Sequence, residues 1–215
     1  MIKKLITCCV FLLNGFCASS QVRSIMLDVQ DRITVDSAEM VNYAVFGKIT
    51  GDTVYTFKKF DFDGILLASG SFKDDSLKVP HGKFTYYNWI TPENNMVNTG
   101  FDINGKERYV ELTGVFLDGQ RNGRWISFYS DGKMKQVITY HQGLAHGAYQ
   151  FFNSDGKQQV AGMYIAGKKN GIWILKGGKQ EDVYVRDQLI SSLKGKKLRD
   201  QQATREQQAK SKNAN

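Results

Sequence analysis

Cysteine is nearly absent from this chain: Cys8, Cys9 and Cys17 are all it has, and all lie in the first seventeen residues. Disulfide frameworks, thiolate metal sites and cysteine nucleophiles are thereby excluded from everything after residue 20. Proline is as scarce, with only Pro80 and Pro92, and the imidazoles are limited to His81, His141 and His146. After residue 20 no apolar run approaches the roughly 20 residues that a bilayer-spanning helix needs. A phosphate-cradling loop is missing too, because Gly167-Lys168-Lys169-Asn170-Gly171 lacks the strand-to-helix setting and the Lys-Ser/Thr ending of a P-loop. No nucleophile elbow is present.

What is there begins with an export signal over residues 1–20. Lys3-Lys4 forms a basic start, residues 5–16 an apolar stretch, and Ala18-Ser19-Ser20 a small-residue cleavage site ahead of Gln21. Cys17 leaves a lipoprotein reading open, against which stands Phe16, bulky where lipoprotein processing takes a small residue. The expected location is exported: periplasmic, outer-membrane associated or secreted.

The chain carries a formal charge of +8, distributed unevenly. Residues 186–215 hold eight basic and three acidic residues, and Lys3 and Lys4 sit in the signal. The body between is close to neutral, so basicity belongs to the tail. Twenty-one glycines, with abundant Tyr and Phe, favour short strands joined by tight turns.

Residues 119–171 repeat themselves at a step of 24. Gly119, Gly143 and Gly167 fall in one series; Gly123, Gly147 and Gly171 in another; Trp125, Tyr149 and Trp173 in a third; Gly132 with Gly156, and Tyr140 with Tyr164, complete the set. A fixed period of this length marks one supersecondary unit stacked on copies of itself. Diverged copies extend toward the N-terminus through Asp63-Gly64, Gly70-Ser71-Phe72, Gly82-Lys83-Phe84, Asn104-Gly105 and Gly114-Val115-Phe116.

Two dipeptide series suit hairpin turns, where Gly adopts positive φ freely and Asn, Asp and His tolerate it. Asn122-Gly123, His146-Gly147, Asn170-Gly171 and His81-Gly82 are expected at one edge, Asp63-Gly64, Asn104-Gly105, Asp131-Gly132 and Asp155-Gly156 at the other. Strands are expected over residues 124–130 and 133–142. Alternation places Trp125 with Tyr129, Tyr149 with Phe151, and Trp173 with Leu175 on one face, and Ile126, Phe128 and Phe152 on the other. Neither face is purely polar, which leaves room for a covering element or partner.

Residues 21–53 form a lead-in, with one or two helical turns expected after Asp36-Ser37-Ala38-Glu39. In residues 54–60 the alternation sets Tyr55, Phe57 and Lys59 against Val54, Thr56 and Lys58. The array spans residues 54–185. In the basic tail, residues 186–215, Leu189 and Leu193 are expected to cap the sheet as a short helix, and the segment after Leu198 is too polar to order itself.

Gly-x-Trp/Tyr-x-x-Phe, then Asp-Gly-Lys, then Tyr-x-x-Gly-x-x-x-Gly resembles the bacterial variant of the MORN repeat, over roughly residues 54–179. The chain also resembles exported bacterial proteins with a Tyr-rich segment, Gly-Lys-Phe-x-Tyr-Tyr (residues 82–87) and MORN units, many of which carry an antitoxin family label. The resemblance implies an all-β chain, an elongated antiparallel sheet of stacked MORN-type hairpins with a short helical or disordered basic tail. It also implies scaffolding, dimerisation or attachment near membranes, and brings no catalytic residues. The export signal fits poorly with an antitoxin, whose cytosolic target lies in another compartment.

The functional expectation is a non-enzymatic exported module that binds an envelope protein, with no cofactor, no metal, no nucleic acid and a possible homodimer. Insertions in repeat arrays carry partner sites, which points to Trp89, Ile90, Asn94 and Met96 in the insertion over residues 89–101. On the repeated surface the candidates are Trp125, Tyr129, Tyr149, Phe151 and Trp173. A second reading is attachment to an anionic membrane or lipopolysaccharide surface through Lys194, Lys196, Lys197 and Arg199. Turn positions account for the histidines before Gly and for Asp63, Asp131 and Asp155. No histidine is expected beside a carboxylate in a pocket.

Overall fold

A computed structural model describes residues 21–95 and 108–212. Over these described residues the fold is all-β: one open antiparallel sheet of fourteen strands, with one C-terminal helix. The first strands are β1 (Gln21–Leu27), β2 (Ile33–Thr34), β3 (Asn42–Lys48), β4 (Tyr55–Phe60), β5 (Leu66–Phe72), β6 (Gly82–Trp89) and β7 (Arg108–Leu117). The rest are β8 (Gln120–Phe128), β9 (Met134–His141), β10 (Leu144–Phe152), β11 (Gln158–Ile165), β12 (Lys168–Leu175), β13 (Gln180–Val185) and β14 (Gln188–Lys194). From β3 to β14 each strand pairs with the next in sequence, while β1 pairs with β3 and carries the two-residue β2 at the edge. The lead-in is thus part of the same sheet. Residues 36–39 make a single hydrogen-bonded turn there, Glu39 N–H to Asp36 C=O at 3.2 Å, rather than a helix.

The hairpin turns on one edge are displaced from the expected dipeptides. They form at Asp118-Gly119, Gln142-Gly143 and Ala166-Gly167, where both residues have positive φ, 52° and 84° in the first case. That is the type I′ geometry whose twist matches the strands. Asn122-Gly123, His146-Gly147 and Asn170-Gly171 lie inside β8, β10 and β12. Only their glycines have positive φ, and the pairing register shifts beside them, so these are bulge glycines. Strands accordingly start earlier than the glycine pattern suggested. His81 likewise precedes β6 instead of turning a hairpin, because the β5–β6 connection is the longer loop capped by Asp74.

The other edge uses longer turns. Gly132 N–H donates to Tyr129 C=O (2.9 Å) while Tyr129 N–H donates to Lys133 C=O (2.8 Å), and Asn153, Gly156 and Lys157 repeat the pattern. A type I turn closed by a positive-φ glycine gives this three-residue loop. Asn104-Gly105 and Met96 lie outside the described residues.

Neighbouring hairpins are stitched at their turns. In a type I′ turn the N–H of the second central residue is left free, and here it donates to the preceding hairpin: Gly143 to Arg121 C=O at 3.0 Å, Gly167 to Ala145 C=O at 2.8 Å. The turn between β13 and β14, Arg186-Asp187, has no glycine yet holds φ of 50° and 71°. Asp187 N–H donates to Lys169 C=O at 2.9 Å, and its carboxylate accepts the Lys169 N–H at 2.7 Å, which holds it in this conformation.

The sheet continues past Val185. Leu189 and Leu193 sit on β14, not on a capping helix, and residues 199–212 belong to helix α1 (Gly195–Lys212). Two anchors hold α1: Leu198, 3% exposed, and a bidentate pair from Arg205 to the buried Glu181 at 2.9 and 3.0 Å. A run of Gln, Ala, Lys and Arg favours helix on its own, and the buried carboxylate gives it a docking point.

Candidate functional site

Side chains on one face of the sheet fall into cross-strand rows. The central row runs Phe46, Phe57, Gly70 in β3 to β5, then Phe84 and Gly114, then Trp125, Ile138, Tyr149, Gly162, and ends Trp173, Asp182, Ser192. Glycines alternate with rings for a steric reason. A Cβ on Gly70, Gly114 or Gly162 would stand 2.4, 2.2 and 2.2 Å from the rings of Phe84, Trp125 and Trp173. The rings lie on bare backbone and meet edge to face with their neighbours, Phe116 against Trp125 at 4.9 Å and Tyr164 against Trp173 at 5.0 Å.

A second row on the same face reads Ala44, Lys59, Ala68, Tyr86, Leu112, Ser127, Gln136, Phe151 and Val160. Beside it lie two adjoining clefts that share Tyr86 and Glu111. One, of 660 Å³, is lined by Arg121, Trp125, Gln136 and Tyr140. Its Arg121 guanidinium stacks 4.5 Å from the Trp125 ring centroid, and Lys169 repeats the arrangement 4.7 Å from Trp173.

The other cleft, of 770 Å³, has a floor of Phe57, Phe72 and Phe84 and walls from the Asp31–Ile33 turn, Leu77 and Trp89. Chain segments far apart in sequence close it: Arg23 on β1 reaches Asp75 at 3.3 Å, and Leu77 packs on Leu27, Ala44, Phe46 and Phe57. Lys59 stands in this cleft with its side chain 16% exposed, paired at 2.5 Å with Asp31, which is 55% exposed. Burial pushes the Tyr86 hydroxyl up, an effect that Arg121 opposes and Asp31 reinforces.

No protein-family model matches this chain, and no curated protein matches it. The site has to be read from its residues alone.

Of the residues singled out in the sequence, Trp89 lines the aromatic cleft. Ile90 is half-buried beside it, and Asn94 is spent on its own loop, accepting from Thr91 N–H and donating to Trp89 C=O at 2.8 Å each. Trp125 and Trp173 are 3% and 2% exposed, so the sheet's own packing uses their indoles and leaves almost no surface for a partner. Tyr149 and Phe151 are half-buried; the Tyr149 hydroxyl accepts from Gln136 at 3.0 Å. Tyr129 donates to Phe152 C=O at 2.8 Å. Lys194, Lys196, Lys197 and Arg199 are all exposed, at the end of β14 and the start of α1.

The histidines are not turn residues. His81 does meet a carboxylate: its Nδ1 lies 3.0 Å from Asp118 Oδ1, and Lys73 pairs with the same Asp118. The Lys73 hydrogen bond is the largest influence holding Asp118 below the usual carboxylate range. This cluster sits at the Asp118-Gly119 turn, away from both clefts. His141 and His146 face each other beside the Gln142-Gly143 turn on the same edge, 6.1 Å between ring centroids. Among the described residues no three His, Cys, Asp or Glu side chains are grouped to hold a metal ion.

The opposite face carries exposed apolar side chains. Strand alternation puts Val115, Met163, Ile172 and Val185 there, 42%, 43%, 47% and 50% exposed. Sequence reasoning passed over Lys59, although its parity with Tyr55 and Phe57 was the signal: a lysine on an aromatic face.

Proposed function

We propose that this chain is a non-enzymatic, exported binding protein whose single-layer MORN-type sheet presents an uncovered face to a protein partner in the bacterial envelope. The observation that carries the reading is Val115, Met163, Ile172 and Val185, each more than two-fifths exposed on the face opposite the central row, part of which α1 occupies where Arg205 docks on Glu181 of β13. Met163, Ile172 and Val185 stand on the neighbouring strands β11, β12 and β13, and adjoining exposed apolar side chains of this kind mark interaction sites. Repetition supports the same conclusion, because the recurrent Asp and Gly positions serve turns and bulges in every copy, whereas catalytic groups occur once.

The test is capture from envelope extracts with the full chain as bait. A Met163→Asp, Ile172→Asp double variant that folds normally is expected to lose at least about 90% of the captured partner, since two charges are set in a desolvated contact. A complex that survives both substitutions overturns the reading. Attachment to an anionic surface through Lys194, Lys196, Lys197 and Arg199 remains the second proposal, supported by their exposure. Flotation with anionic vesicles decides it, because binding indifferent to salt or to loss of these charges rules it out.

A further inference from the structure

The aromatic cleft lies on the opposite face from the proposed partner surface and asks for a different occupant. Its floor is the side chains of Phe57, Phe72 and Phe84, which meet edge to face at 5.2 and 5.4 Å. Its volume of 770 Å³ falls in the range of about 300–1,000 Å³ typical of small-molecule sites. Of the cations that line it, Lys59 is enclosed among these apolar groups, whereas Arg32 and Lys78 are exposed. A lysine so enclosed needs a counter-charge, because an unpaired buried ammonium is costly. Lys59 takes it from Asp31, a half-exposed residue held at φ 61° on the turn between β1 and β2.

Of the other charges of the cleft, Arg32 pairs with Asp28 at 2.7 Å, Glu111 accepts from the Asn88 amide at 3.2 Å, and Lys78 is exposed. If Asp31 moves aside, Lys59 is left as the enclosed cation of an aromatic-floored cleft. A peptide is a poor match for this surface. The floor is made of side chains whose backbone hydrogen bonds are spent in the sheet ladder, so it has nothing to pair with a second chain's N–H and C=O groups.

We propose that the cleft binds a long-chain carboxylate. The apolar chain lies on Phe57, Phe72 and Phe84, and the carboxylate takes the place of Asp31 on the Lys59 ammonium. The ligand is thus defined by an unbranched apolar body and one anionic head.

Calorimetry on the full chain tests it with dodecanoate below its micellar concentration and with dodecanol as the neutral analogue; Trp89, in the cleft wall, gives a parallel fluorescence signal. Saturable binding of one dodecanoate per chain is expected, with dodecanol about tenfold weaker or worse. Lys59→Met should weaken dodecanoate by at least about tenfold without affecting dodecanol, whereas Asp31→Asn, which removes the competing carboxylate, should strengthen it several-fold. Circular dichroism confirms that both variants are folded, and Asp31→Asn gives a gain that misfolding cannot imitate. Absence of saturable binding, equal affinity for acid and alcohol, or indifference to both substitutions overturns the proposal; the last outcome makes the Lys59–Asp31 pair a tether for its turn. The Met163→Asp, Ile172→Asp variant should bind dodecanoate normally, so failure of the partner reading and failure of this one are told apart.

Discussion

The two halves of this sheet use the same face differently. From β7 to β13 the Trp125 and Trp173 rings lie on the backbone of Gly114 and Gly162, and the turns at Gly143 and Gly167 are stitched to the hairpin before, so the units pack on their sequence neighbours. From β1 to β6 the connections are longer, and the 28–41 and 73–81 segments come over the aromatic face to wall a cleft. Regularity stabilises the array, and departure from it makes room for a ligand.

Within the regular half a smaller contrast explains the period. Gly114, Ile138 and Gly162 occupy successive copies, and the rings set against them are Trp125, Tyr149 and Trp173. Glycine admits the indole to the backbone; isoleucine does not, and the partner there is the smaller, less buried tyrosine. The largest expected effect follows. Gly162→Ala should destabilise the chain by about 3 kcal/mol, because a Cβ 2.2 Å from a nearly fully buried indole forces the ring out of place. Ile138→Ala, which only removes atoms beside a half-buried tyrosine, should cost about half as much in the same denaturant titration. Equal costs would break the account of the alternation.

The end of the array gives the next effect. Arg205→Met leaves the Glu181 carboxylate buried without its partner. The penalty for breaking such a pair is discounted here, since Arg205 is 43% exposed and screened, to about 1–2 kcal/mol. Hydrogen exchange should show α1 released while β7 to β12 stay protected. Loss of protection throughout the sheet would mean that the helix supports the whole array.

The smallest effect concerns Asp182, next to last in the central row. Burial acts to raise its carboxyl, but hydrogen bonds from Ser192, Gln180 and Tyr184, together with the field of Lys194, outweigh it and hold the value below the ordinary one. A depressed folded value means that its contribution to stability is present above the unfolded value of about 3.9 and is lost as pH falls through the folded one. Asp182→Asn should therefore have a lower Tm than the parent at neutral pH, with the gap closing as pH drops below about 4. A gap constant with pH would assign the loss to packing instead.

Much of the fold was legible because repetition exposes it. Glycine and aromatic residues returning every 24 positions imply hairpins, and alternation assigned the faces around Trp125 and Trp173 correctly. Which glycine turns the chain was not legible. Gly119 and Gly123 both need positive φ, and only the backbone shows that Asp118 joins Gly119 in the left-handed region whereas Asn122 does not join Gly123. The tail was misjudged for a similar reason: its polarity argues against burial, and the buried carboxylate that Arg205 seeks lies 24 residues away on β13. The candidate site was the least legible part. Trp89 could be picked out as part of an insertion, but its neighbours in the cleft come from β1, the Asp31 turn and the Leu77 loop.

Taken alone, the order of residues determined the period, the strand character, the faces and the near-neutral body with its basic end, because all of these are set by local alternation and by the conformations open to glycine. Only the tertiary structure decided where the sheet begins and ends, which glycines bear rings and which make turns, and that Lys59 stands among Phe57, Phe72 and Phe84 with Asp31 as its partner. Those outcomes depend on contacts between segments distant in the chain, and a contact between distant segments leaves no mark in the local pattern of either one.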